Sequence, residues 1–167
     1  MTTRILILPT IVSLCALLSA GHPPSNQGPA KAKKPTTRSN AKGKITVESS
    51  ETRPYDQSAS PALLEINWNE TFQGDMEGQS PVRALEVLHE DHSASLVSVQ
   101  RFRGKVGGRQ GSFLLQGREI VRNGKIRATW FVVPGSGTDE LSGLRGQGGF
   151  SGDFGKGSDG TLVYWLE

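Results

Sequence analysis

Cysteine is all but missing from this chain: Cys15 is the only one among 167 residues. No disulfide can form within the chain, and one thiol inside an apolar run makes neither a redox motif nor a zinc site. Helical periodicity is scarce as well, which excludes a helical bundle and a doubly wound α/β fold. Acidic residues are absent between His22 and Lys44, where six bases stand alone: Lys31, Lys33, Lys34, Arg38, Lys42 and Lys44. From Ile45 to Glu167 the balance reverses, with 12 Lys or Arg against 16 Asp or Glu, a net of −4. The formal charge of +3 therefore resides in the N-terminal part. A nucleic-acid-binding domain needs its basic patch on the fold itself, so no nucleic-acid partner is expected.

What is present begins with an export pattern. Arg4 precedes an apolar run from Ile5 to Leu18, broken only by Pro9, Thr10 and Ser13 and ending in Ser19-Ala20-Gly21. Residues 1–21 thus read as a signal peptide with cleavage near Ala20 or Gly21, and the expected location is secreted or periplasmic. The run falls short of the about 20 apolar residues that cross a bilayer, so no stable membrane span is expected. Leu14 before Cys15 argues against a lipid-modified cysteine. Residues 22–43, rich in Pro, Lys, Ser, Thr and Asn, cannot bury enough apolar surface to offset ordering and read as a disordered basic linker. Its bases favour contact with anionic surfaces.

Residues 44–167 change texture and read as one folded domain. Leu64, Ile66, Trp68, Glu70 and Phe72 alternate with Glu65, Asn67, Asn69 and Thr71, the period-2 signature of a strand with one buried side. A first strand starts at Ile45 to Glu48, before a loop around Pro54, Asp56 and Pro61. Further strands are expected over about 75–89, 94–106, 109–120, 125–133, 140–150 and 161–167. Asn123-Gly124 is a strong two-residue hairpin signal, and Pro134 to Asp139 reads as a turn. Eight strands joined by short connections predict an all-β fold, an antiparallel up-and-down barrel whose closure removes its edges. An interior of that size holds packed side chains or one small ligand.

The runs GKVGGRQGSFLLQG (Gly104 to Gly117) and TWFVVPGSGTDELSGLRGQGGF (Thr129 to Phe150) carry a family resemblance. With Pro54-Tyr55-Asp56, the FQGDMEG step from Phe72 to Gly78 and the aromatic last strand, the chain resembles the bacterial family called domain of unknown function 3224. The resemblance implies an eight-stranded antiparallel barrel similar to allene oxide cyclase and related in shape to the lipocalins; it implies no activity. Relatives tend to carry Gln-His where this chain has Gln116-Gly117, so a histidine-dependent chemistry is not carried over.

Glu70 is the candidate catalytic residue. A carboxylate on an apolar strand face bears a large desolvation cost unless it is paired or protonated, and such groups concentrate at functional sites. The carboxylate inside allene oxide cyclases gives the same role by resemblance. Trp68, Glu70, Gln100, Gln116 and Trp130 form the expected ligand-binding set, polar groups and aromatics set among apolar strand residues. Core packing and internal hydrogen bonds explain the same residues without a ligand, and the alternation leaves the facing of Glu86 open. His89, Asp91 and His92 crowd one corner but lack a metal-ligand pattern and read as a solvated turn. Pro134-Gly135-Ser136-Gly137 lacks the context of a nucleophile elbow. No metal or other cofactor is implied. The expected function is binding of a small, largely apolar molecule inside an exported barrel. The alternatives are a cofactor-independent isomerase or cyclase using Glu70, and a structural or interaction barrel with a filled core.

Overall fold

The computed structural model describes residues 37–167. The signal peptide expected over 1–21 and most of the linker expected over 22–43 lie outside the described residues. Eight strands follow in chain order: β1 Ser39–Asp56, β2 Ala62–Gly74, β3 Met76–Leu88, β4 Ala94–Val106, β5 Arg109–Arg122, β6 Lys125–Val132, β7 Leu144–Asp153 and β8 Gly157–Leu166. Each pairs antiparallel with its chain neighbour, and β1 pairs with β8 to close the barrel. The only helical turn among the described residues is a 3-10 turn at Asp139–Leu141. No helix among them is long and apolar enough to cross a membrane.

Strict alternation produces the inside and outside of this wall. Even-numbered residues of β2, β3, β4, β6, β7 and β8 point inward, as do the odd-numbered residues of β5 and of the first part of β1. The turns obey local chemistry: Asn123 and Gly124 both take positive φ, 52° and 70°, as a two-residue hairpin matched to strand twist requires.

The boundaries differ from expectation in three places. β1 begins at Ser39, inside the stretch assigned to the linker, and runs on to Asp56 through what reads as a loop. Its distal half is exposed and has no apolar alternation; pairing with β2, from Val47 opposite Glu70 to Asp56 opposite Leu63, supplies its order. β8 begins at Gly157, because Ser158 to Thr161 pair with the glycine-rich end of β7. β7 begins at Leu144 rather than residue 140, since Asp139–Leu141 forms the 3-10 turn.

Pro134 to Gly143 closes one end. Thr138 N–H donates to the Ser112 carbonyl at 2.9 Å and Ser112 N–H to Thr138 Oγ1 at 3.0 Å. Ser136 Oγ donates to the Val133 carbonyl at 2.6 Å and accepts from Leu114 N–H at 3.0 Å. The segment thus covers the part of β5 that β6 does not reach, and it places Leu141 in the core at 0% exposure. The serine of Pro134-Gly135-Ser136-Gly137 is a structural staple.

Behind this plug the interior is solid. Phe72, Met76, Phe102, Phe113, Leu144 and Leu162 are all at or below 2% exposure. Phe72 meets Phe102 edge to face at 5.3 Å between centroids, and Phe102 meets Phe113 at 5.0 Å. Such pairs contribute beyond the area they bury. The far half of the barrel holds smaller residues: Ile66, Ala84, Ala94, Leu96, Val121 and Ile126.

Candidate functional site

Between these two halves the inward alternation delivers polar side chains. β2 contributes Glu70, β3 Ser80, β4 Ser98 and Gln100, and β5 Glu119, all at or below 5% exposure. Their placement follows from register: Glu70 lies opposite Ser80, and Ser98 lies opposite Gly117, two residues before Glu119 on the same inward face. A Cβ on Gly117 would stand 2.7 Å from both Glu119 Oε1 and Ser98 Oγ. The bare backbone there leaves space for the Ser98 hydroxyl to donate to Glu119 Oε1. The departure at Gln116-Gly117 therefore falls on an inward position occupied by a serine–glutamate contact.

Hydrogen bonding in this layer is incomplete. The Trp68 indole N–H donates to Glu70 Oε1 at 2.8 Å. Glu70 Oε2, Glu119 Oε2, Gln100 Oε1 and Ser80 Oγ have no hydrogen-bond partner among the described residues. Buried polar atoms are nearly always paired, so four in one layer single it out. Burial pushes the Glu70 carboxyl up to about 7, against the opposing hydrogen bond from Trp68 and with added repulsion from Glu119. Burial likewise pushes Glu119 up to about 7, opposed by the Ser98 hydrogen bond. Both groups can therefore change protonation near neutral pH.

Above this layer the smaller side chains leave a cavity of about 420 Å³. Leu64, Ile66, Trp68, Leu88, Ile126 and Phe150 supply most of its apolar wall, with Glu70 and Glu86 also on its surface. Glu86 is 6% exposed, and burial raises its carboxyl too. Its opening follows from strand pairing. β1 contacts β8 only as far as Ile45 opposite Ser158, whereas it stays paired with β2 to Asp56. Ser50 and Thr52 beyond that point, and Phe154 and Gly155 in the β7–β8 turn, line the cavity.

The expected ligand-binding set is divided by the fold. Trp68 and Glu70 meet each other and the cavity. Gln100 faces inward in the polar layer but is not part of the cavity wall. Trp130 belongs to the solid half: it packs on Phe72 and Phe150 and donates from Nε1 to the Thr161 carbonyl at 3.1 Å. Gly148 and Gly160 make room for its ring, since a Cβ would lie 2.9 and 3.3 Å from it. Gln116 is exposed on the outer wall, because Leu115 beside it points in. It is withdrawn as an interior ligand contact. Glu86, ambiguous by alternation, faces in, while Leu85 is 51% exposed.

Glu119 and Ser98 are interior groups that the candidate set does not contain. Phe113, Leu115, Gly117, Glu119 and Val121 carry the same period-2 signal that marks Glu70, weakened by the glycine. His89, Asp91 and His92 are exposed in a turn where Asp91 accepts from Ser93 N–H at 2.9 Å. Among the described residues no three His, Cys, Asp or Glu side chains gather as metal ligands would.

The family model described as Protein of unknown function (DUF3224) matches residues 41–166. A crystal structure of a protein with unknown function from that family, from Shewanella oneidensis MR-1, is similar to this barrel. It shares 28% identity at a TM-score of 0.62, over 78% of this chain and 99% of that one. A comparison with curated proteins finds no match.

Proposed function

Since the chain belongs to the DUF3224 family, whose description assigns no activity, we propose a function from the barrel itself: an exported module that holds a small, largely apolar molecule. The cavity of about 420 Å³ carries this reading, because a barrel built only as a scaffold has no need to leave one half hollow. Pockets for small molecules are mostly apolar with a few convergent polar groups, and Trp68, Glu70 and Glu86 fit that description. The residues before the barrel support export through the signal pattern at 1–21.

Native mass spectrometry of the protein purified from its own host tests the proposal. A retained small molecule, or a thermal shift with members of a lipid and metabolite panel, is the expected result. A ligand-free spectrum together with no shift across the panel would overturn it.

One observation favours a second reading. Glu70 faces the cavity with a free oxygen and a carboxyl poised at about 7, as a general acid or base requires. A cofactor-independent isomerase or cyclase would use it to move a proton while the apolar wall enforces substrate shape. Conversion of a captured ligand by the wild-type protein, lost in Glu70→Gln, distinguishes this reading from simple binding.

A further inference from the structure

The charged groups on the cavity wall are of one sign. Glu70, Glu86 and Asp153 line it, and among the described residues no Lys, Arg or His does. Asp153 is held by the outer Lys125. The other two are different: among the described residues Glu86 has no hydrogen-bond or ion-pair partner, and Glu70 Oε2 has none at 4% residue exposure. Beneath them, the further atoms without a partner among the described residues are Glu119 Oε2 and Gln100 Oε1, which accept, and the Ser80 hydroxyl, which can also donate. The cavity wall therefore offers negative charge with no cationic donor among the described residues, and its neutral donors are the hydroxyls of Ser50, Thr52 and Ser158.

Trp68 adds a second, independent preference. Its indole N–H is committed to Glu70 Oε1, which leaves its ring on the cavity wall beside that carboxyl. An aromatic face next to a carboxylate in a water-poor site is a favourable setting for an organic cation. A fatty acid or phosphate ester would bring like charge to Glu70 and Glu86 and leave their oxygens without donors.

Resting on the binding function proposed above, we propose that the ligand is a hydrophobic amine, its ammonium group held by Glu70 and the Trp68 ring and its apolar body lying against Ile66, Ile126 and Leu64, toward the far end where Glu86 stands opposite Leu64. The ammonium donates to Glu70 Oε2, which has no donor among the described residues, and it neutralises charge that the apolar wall disfavours.

Calorimetric titration of the full chain at pH 8 with octylamine, octanol and octanoate tests the head-group preference on a constant tail. Octylamine is expected to bind about tenfold or more tightly than octanol, a difference of about 1.4 kcal/mol, with octanoate weakest. Glu70→Gln and Trp68→Leu are each expected to shrink the lead of octylamine over octanol severalfold, and either variant suffices if the other fails to fold. Octanol or octanoate binding as tightly as octylamine would overturn the amine while leaving the apolar cavity function standing. Failure of all three to bind would overturn both. An amine lead untouched in every folded variant would also overturn the assignment, because it would place the cation elsewhere.

Discussion

The two halves of this barrel are built from the same eight strands, yet one is solid and the other hollow. In the closed half Phe72, Phe102, Phe113 and Met76 fill the bore, and the segment carrying Leu141 seals the end. In the open half the inward positions hold Ala84, Ala94, Val121 and Ile126, and the distal part of β1 runs on past the end of its pairing with β8 at Ile45. Strand number and alternation are shared, so side-chain volume and one missing strand contact decide which half has room for a ligand. The polar layer of Glu70, Ser98, Gln100 and Glu119 lies where the packing changes.

A matched pair of truncations gives the largest expected effect. Leu162→Ala in the closed half, where the side chain is 0% exposed, is expected to cost about 4 kcal/mol by urea denaturation. Leu64→Ala borders the cavity and already lacks partners on one side, so its cost is expected near 2 kcal/mol. Equal losses would break the contrast between solid and hollow halves.

The next effect concerns the layer between them. Glu70 and Glu119 each stand near 7 in the folded protein against an ordinary 4.5. Between those values the folded state binds more protons than the unfolded one. Their contribution is therefore fully present below about pH 4.5 and is lost as pH rises through 7. A fall of roughly 3 kcal/mol for each carboxyl is expected over that interval, at about 1.4 kcal/mol per unit. Chemical denaturation across pH 4 to 8 measures it, with the Glu70→Gln/Glu119→Gln double variant as reference. A wild-type profile as flat as that of the double variant would mean that both carboxylates are solvated.

The smallest effect sharpens the distinction between inner and outer walls. Gln116→Ala removes an exposed amide and is expected to change stability by no more than about 0.5 kcal/mol. Ligand retention should be unaltered. A clear loss of either would show that the outer wall takes part in the site.

Much of this architecture is legible in the residues. β4 from Ala94 to Val106 and the Asn123-Gly124 turn stand where pattern and turn chemistry place them. β1 is different, since Glu48 to Asp56 offers no apolar face and is ordered by the backbone of β2. Glu70 shows itself because a carboxylate interrupts an otherwise apolar face. Glu119 is harder to see, as Gly117 removes the contrast beside it, and Gln116 and Trp130 are placed by their neighbours.

Alternation and turn residues are local properties, so the sequence by itself determined an all-β chain of hairpins and which residues share a face of each strand. Which inward residues meet is a property of register and closure. Only the tertiary structure set Ser98 against Glu119 in the space left by Gly117 and packed Trp130 among Phe72 and Phe150. It alone decided that the cavity lies on one side of that layer, because unfilled volume results from how all eight strands close around one another.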